Sequence, residues 1–79
     1  MREQFNLQNF LAGKYERVET REGKEVLQLA YFSMASDYQL AGIIDDGWPS
    51  LENWTQGGLY YTSQNDSDHD LFGILKPQQ

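Results

Sequence analysis

The residues best equipped for chemistry cluster in Asp66-Ser67-Asp68-His69-Asp70, where three carboxylates alternate with a serine and the chain's one histidine. Alternating acids are the spacing of calcium loops, which hold a hard cation with carboxylate oxygens. An EF-hand loop also needs a glycine after the third acid and a bidentate glutamate at its twelfth position, where this chain has Leu71 and Pro77. Asp66, Asp68 and Asp70 therefore make at most a low-affinity metal candidate, and the stretch from Gln64 to Asp70 reads first as a solvated loop. His69 lacks the partners a zinc site requires, because there is no cysteine and no second histidine. Ser63 or Ser67 could be combined with His69 and these acids into a Ser-His-Asp set. No strand–turn–helix elbow surrounds them, and neighbours within one exposed loop are poorly held for catalysis. The sequence predicts no enzyme and no cofactor.

A second pair of carboxylates, Asp45 and Asp46, ends an apolar run and precedes Gly47. Acid–base work needs one carboxyl shielded enough to move its pKa, whereas neighbours on a continuing strand point to opposite faces. Ordinary turn chemistry is the simpler reading. Gly57-Gly58 has neither the lysine nor the helix of a phosphate loop. Aromatic residues carry more information. Trp48 sits between Gly47 and Pro49, and tryptophan and tyrosine dominate binding interfaces. Trp48, Asp45, Asp46, Tyr38 and Tyr60 are the candidate contact patch; the competing reading folds Trp48 back to cap one end of the core.

These residues need a scaffold, and the hydrophobic pattern supplies one. Phe5 to Gly13 reads as a short helix, with Asn6 as N-cap, Leu7, Phe10 and Leu11 on one face, and Gly13 at its close. From Lys14 the period changes to two. Tyr15–Thr20 and Glu25–Ser33 flank Glu22-Gly23, and a two-residue turn there sets Val18 against Leu27. Glu25–Ser33 is apolar on both sides, with Leu27, Leu29 and Tyr31 alternating against Val26, Ala30 and Phe32, as a central strand would be. Leu40–Asp45 is a third strand. Leu51–Gln56 and Leu59–Ser63 surround Gly57-Gly58, a hairpin that would set Trp54 against Tyr61. Leu71–Leu75 is a last short strand. The sum is a mainly-β single domain over residues 1–79: a helix at 5–13, a sheet of five or six antiparallel strands at 14–76, and a tail at 77–79. It is either a meander or a small SH3-like barrel.

A chain of 79 residues supports one modest core, and the absence of cysteine removes disulfide staples. No apolar run reaches membrane length, and Met1-Arg2-Glu3-Gln4 lacks the basic-then-apolar order of a signal peptide, so a cytoplasmic home is expected. The glycosylation triplets Asn53-Trp54-Thr55 and Asn65-Asp66-Ser67 are read as chance. Charge is uneven. Residues 1–24 carry Arg2, Lys14, Arg17, Arg21 and Lys24 against four acids, a net of +1, while residues 25–79 carry eight acids against Lys76, a net of −7. Such a surface repels phosphate backbones and tolerates a basic partner.

The run Thr20-Arg21-Glu22-Gly23-Lys24, a strand, Asp37-Tyr38 leading into Leu40-Ala41-Gly42-Ile43-Ile44, then Trp54-Thr55, Gly58 and Tyr60, and finally Asp70-Leu71-Phe72 resembles a group of short β-rich proteins encoded by phages, prophages and mobile elements. The resemblance spans about residues 5–76. Leu40 stands where the group has proline, and Trp48-Pro49 departs from its pattern. Its motifs are strand-and-turn signatures, so it implies origin, an accessory protein of a mobile element, and brings no functional residue across.

Together these readings predict a non-catalytic protein-interaction module that binds a host or phage protein, including the case of an anti-defence inhibitor presenting carboxylates in place of phosphates. Two other classes remain. One is a small β-barrel that stacks single-stranded nucleic acid or sugar on Tyr60, Tyr61, Trp48 and Tyr31, although stacking normally needs a basic groove beside it. The other is a structural homo-oligomer joined through an open sheet edge.

Overall fold

The computed structural model describes residues 1–63 and 66–77. Gln64, Asn65, Gln78 and Gln79 lie outside the described residues, and with them the start of the expected acidic loop, the Asn65 triplet and the end of the tail. The chain runs β1 (Arg2–Gln4), α1 (Leu7–Leu11), β2 (Tyr15–Thr20), β3 (Glu25–Tyr31), β4 (Leu40–Asp45), β5 (Pro49–Trp54) and β6 (Leu71–Leu75). All six strands form one sheet in the order β1-β6-β2-β3-β4-β5, and every pairing is antiparallel. The mainly-β expectation holds, and β2 to β5 form the expected meander. β1 and β5 are both edges, so the sheet stays open and no SH3-like barrel closes. The helix follows a first strand rather than preceding the whole sheet.

The first hairpin differs from expectation by one residue of register. Val18 pairs with Val26 and Glu19 with Glu25, not Val18 with Leu27. A two-residue type I′ turn would need positive φ at both Glu22 and Gly23, and only Gly23 adopts it, at +93°. The chain instead uses a three-residue loop. Gly23 N–H donates to the Thr20 carbonyl at 2.8 Å, and Thr20 N–H donates to the Lys24 carbonyl at 2.8 Å.

β3 is central as expected, but its faces switch midway. Leu27 pairs with Ile43 and Ala30 with Ala41, so Gln28 and Leu29 together oppose Gly42 in a bulge. Gln28 there takes φ +55°, the one positive φ of a non-glycine residue among the described residues. Past the bulge, Leu29 joins Val26 on the core face. A Cβ added to Gly42 would meet both side chains, Val26 at 2.9 Å and Leu29 at 3.2 Å. Leu27 is left on the outer face, 39% exposed.

The second expected hairpin is absent. Trp54 pairs with Leu40, not Tyr61, and Leu59–Ser63 forms no strand. Gly58, at φ +80°, closes a turn onto the Thr55 carbonyl, after which the chain crosses toward β6: Leu71 N–H donates to the Gly58 carbonyl at 2.8 Å.

The core is Phe5, Tyr15, Val18, Val26, Leu40, Ile44, Trp54 and Leu71, all on one face of the sheet or packed against it. α1 starts where sequence placed its cap, with Asn9 N–H donating to Asn6 Oδ1 at 2.9 Å. It has five residues rather than nine and covers the β1–β6–β2 end, where Phe10 lies 5.6 Å from the Phe5 ring. Below it, the Tyr15 ring lies on Gly73, which has no room for a Cβ: one would fall 2.2 Å from the ring carbons. The Tyr15 hydroxyl donates to the Glu3 carboxylate and accepts from Asn6 N–H at 2.9 Å, which ties β1, α1 and β2 together.

This contact has a pH signature. Burial, then the bond to Glu3, pushes the Tyr15 phenol up to about 12. Its folded value lies above the ordinary 10, so folding prefers the protonated phenol. That stability is present below pH 10 and is lost as pH rises through about 12. The Tyr15→Phe variant should lose roughly 1–3 kcal/mol at neutral pH, because Asn6 N–H and Glu3 lose their partner. Its alkaline unfolding should also lack the part of the wild-type decline between pH 10 and 12, as measured by denaturant melts at stepped pH. The Gly73→Ala variant should cost at least about 2 kcal/mol, since the added methyl displaces an aromatic ring locked by two hydrogen bonds.

Candidate functional site

The five patch residues do not form one surface. β4 and β5 pair from Leu40–Trp54 at one end to Asp45–Pro49 at the other. Asp45, Asp46 and Trp48 sit at the tip of this hairpin, while Tyr38 and Tyr60 lie at the opposite end. Five steps of about 3.4 Å separate the two ends, about 17 Å of strand.

At the tip, Trp48 is 81% exposed and does not cap the core. Pro49 begins β5 directly after it, which fixes the backbone on that side. Asp45 is the last residue of β4 and Asp46 begins the turn. Asp46 accepts from Lys24 Nζ at 2.6 Å, which bolts the hairpin tip to the β2–β3 loop. That bond to Asp46 is the chief reason the Lys24 ammonium is held above its ordinary pKa. Asp45 is exposed and has no ion-pair partner among the described residues.

At the other end, Tyr38, Tyr60 and Tyr61 join Glu52 and Asn53 around a cavity of about 180 Å³. The Tyr60 and Tyr61 rings meet edge to face, 5.2 Å between centroids. Tyr60 O–H donates to Glu52 Oε1 at 3.1 Å, and Ser50 O–H donates to Glu52 Oε2 at 2.7 Å. The bond to Glu52, helped by burial, holds the Tyr60 phenol above its ordinary pKa. Sequence reasoning named Tyr38 and Tyr60 for the contact patch and Tyr61 beside Tyr60 as a stacking platform, but missed Glu52 and Asn53 as their companions. Two-residue alternation does place Glu52 on the Trp54 face of β5, yet nothing local brings Tyr60 back to it.

The acidic run is only partly the solvated loop expected of it. Asp66 and Asp68 are exposed, but Asp70 is 2% exposed and fully engaged. Its Oδ1 accepts from Tyr60 N–H at 2.8 Å, and its Oδ2 accepts from Ser67 N–H at 3.0 Å and from Arg21 at 3.3 Å. Arg21 also approaches Asp66 at 3.7 Å. Among the described residues, no group of three or more acids or histidines converges as metal ligands. His69 likewise plays a packing part. Its carbonyl accepts from Trp54 Nε1–H at 2.7 Å, and its ring lies 5.0 Å from that of Tyr60.

The basic residues of the first third of the chain are spent internally. Arg2 and Arg17 share Glu19 at 3.2 and 3.6 Å, Arg21 is held by Asp70, and Lys24 by Asp46. Among those five bases, only Lys14 is without an ion-pair partner among the described residues. Arg2 and Arg21 both lie over the Phe72 ring, 4.3 and 5.1 Å from its centroid. Arg21, the base that lines a recess with Tyr61, is itself paired with Asp66 and Asp70. Among the described residues, no helix is long and apolar enough to cross a membrane.

Compared with family models, with curated proteins and with solved structures, the chain finds no match in any of the three.

Because Asp70 positions Tyr60 through its backbone, Asp70→Ala should loosen the Tyr60–Tyr61 segment and leave the Tyr60 and Ser67 amides without their acceptor. A loss of about 2–4 kcal/mol is expected, with the Trp54 indole N–H resonance shifted toward its solvent value in proton NMR.

Proposed function

We propose that this protein is a non-catalytic interaction module that binds a basic protein partner, an accessory factor of a phage or mobile element. The observation that carries the reading is Trp48, 81% exposed on a turn anchored by Pro49 and by the Lys24–Asp46 bond. Holding a large aromatic in water beside a free carboxylate confers no folding advantage, while preorganised tryptophans of this kind contribute heavily to interfaces. The electrostatics agree. The bases of residues 1–24 are largely neutralised by their own acids, and Asp45, Asp68, Glu25 and Asp37 have no ion-pair partner among the described residues. In the anti-defence form of this reading, such carboxylates occupy the phosphate sites of a nucleic-acid-binding host protein.

The test is quantitative capture from bacterial lysate by wild type, Trp48→Ala and a combined charge reversal at Asp45, Asp46, Asp66 and Asp68. Trp48→Ala should leave the melting temperature within experimental scatter and lower the yield of the specific partner at least tenfold. Charge reversal should abolish capture in moderate salt. Equal yields from all three proteins would end this reading.

A second reading, a homo-oligomer, is favoured by one observation. Leu27, Ile43 and Leu51 line up across β3, β4 and β5 on the outer face, and Leu51, on the open edge, is 71% exposed. Edge-to-edge pairing of β5 would continue that row into a second copy. Light scattering across a hundredfold concentration range should then reveal a dimer that Leu51→Lys dissolves; a monomer throughout removes the reading.

A further inference from the structure

We propose that the cavity between Tyr38, Glu52, Asn53, Tyr60 and Tyr61 is a binding site for an alkylammonium group, the lysine side chain of the basic partner. The proposal deepens the interaction-module reading and depends on it for the source of the lysine.

The chemistry rests on Glu52. Its carboxylate is half-buried on the edge strand and has no cationic partner among the described residues, although four of the chain's six bases are paired with acids. Tyr60 and Ser50 hydroxyls each donate to one of its oxygens and hold it in place. A carboxylate offers about four lone-pair positions, so about two remain free. They belong to a group whose neighbours in the cavity are three phenol rings and an amide.

Ring faces carry the negative part of the aromatic quadrupole, so a cation gains from the walls as well as from the carboxylate. The edge-to-face packing of Tyr61 on Tyr60 keeps the two rings at 76° to each other, which is the angle between adjoining walls of a box rather than of a stack. A neutral base or sugar stacked on one ring face would leave the Glu52 carboxylate without a counter-charge. An ammonium on a methylene stem suits this shape better: one compact charge for Glu52, and apolar carbons for the tyrosines. The recess, about 180 Å³ and open to solvent, is of the size of one side chain.

The site is also built on rigid supports. Glu52 belongs to β5, and Tyr60 is fixed by the Asp70 carboxylate through its backbone and by the His69 ring at 5.0 Å. Tyr38 comes from the β3–β4 connection, two residues before the fully buried Leu40. Three separate parts of the chain thus supply the walls.

The test is an NMR titration of the full chain with Nα-acetyl-lysine methylamide, against its uncharged norleucine analogue and tetramethylammonium. The lysine analogue should give saturable shifts confined to residues 38, 52, 53, 60 and 61, at least tenfold tighter than norleucine. Glu52→Gln should weaken it at least tenfold, as should Tyr61→Leu, which removes a wall without touching Glu52. Glu16→Lys, exposed on β2 and three strands away from β5, should leave it unchanged. The Trp54 indole resonance reports that each variant is folded. Absence of shifts, equal binding of norleucine, or indifference to Glu52→Gln overturns the proposal. Tetramethylammonium binding without the lysine analogue also overturns it, in favour of a free quaternary amine. Because no partner takes part, failure here leaves the Trp48-dependent capture standing, and failure of that capture leaves this titration intact.

Discussion

The buried carboxylate of Asp70 is the constraint from which the tyrosine end of this molecule is built. The connection from Thr55 to Asp70 contains no strand in its described residues, so its backbone groups have no ladder to satisfy them. Asp70 accepts from Tyr60 and Ser67 N–H groups and from Arg21, and the polar ends of three separated segments meet at one anion. An ionised carboxylate is costly to bury alone, but charge-assisted bonds to two amides and a guanidinium offset that cost. The same arrangement lays the connection over Trp54, whose indole N–H reaches the His69 carbonyl. A tryptophan at 0% exposure can then form the centre of the core.

Around that anchor the sheet divides labour between its faces. The inner face packs aromatics on glycine. Tyr15 rests on Gly73, and the Phe5 ring meets Gly58, where a Cβ would come within 2.7 Å. These close approaches let a small chain bury large rings without a second layer of helices. The outer face is a lattice of paired charges at the β1–β6–β2 end and a thin apolar row at the β3–β4–β5 end. Functional candidates all fall on the β4–β5 hairpin or against it. Its two ends present different chemistry, an exposed tryptophan with carboxylates at the tip and a tyrosine–glutamate cavity at the base. Both are the surfaces on which the proposed cationic partner would dock.

The places where local reasoning failed share a cause. Positive φ at Gly23 alone, rather than at Glu22 as well, lengthened the first loop and moved the register by one. The bulge at Gln28–Leu29 exchanged the faces of β3 midway, so strict alternation misassigned Leu27 and Leu29. Gly57-Gly58 has the composition of a hairpin turn, but the residues beyond it gain more from Asp70 and β6 than from pairing with β5. In each case a local rule was overruled by contacts distant in sequence.

Local chemistry alone determined the mainly-β class, the Asn6 cap, the strand Leu40–Asp45, the central position of β3 and the candidacy of Trp48, Tyr38 and Tyr60. Each of these follows from residue type, two-residue alternation or turn preference, which act over a few positions. Tertiary structure decided that β6 inserts between β1 and β2, that the sheet stays open, that the patch splits into two ends of one hairpin, and that Glu52 joins the tyrosines. Those outcomes depend on which of several comparable strand edges wins a partner. That competition is settled by the burial of Trp54 and Tyr15 together with the hydrogen bonds gathered on Asp70, contributions from distant segments that no short window of sequence contains.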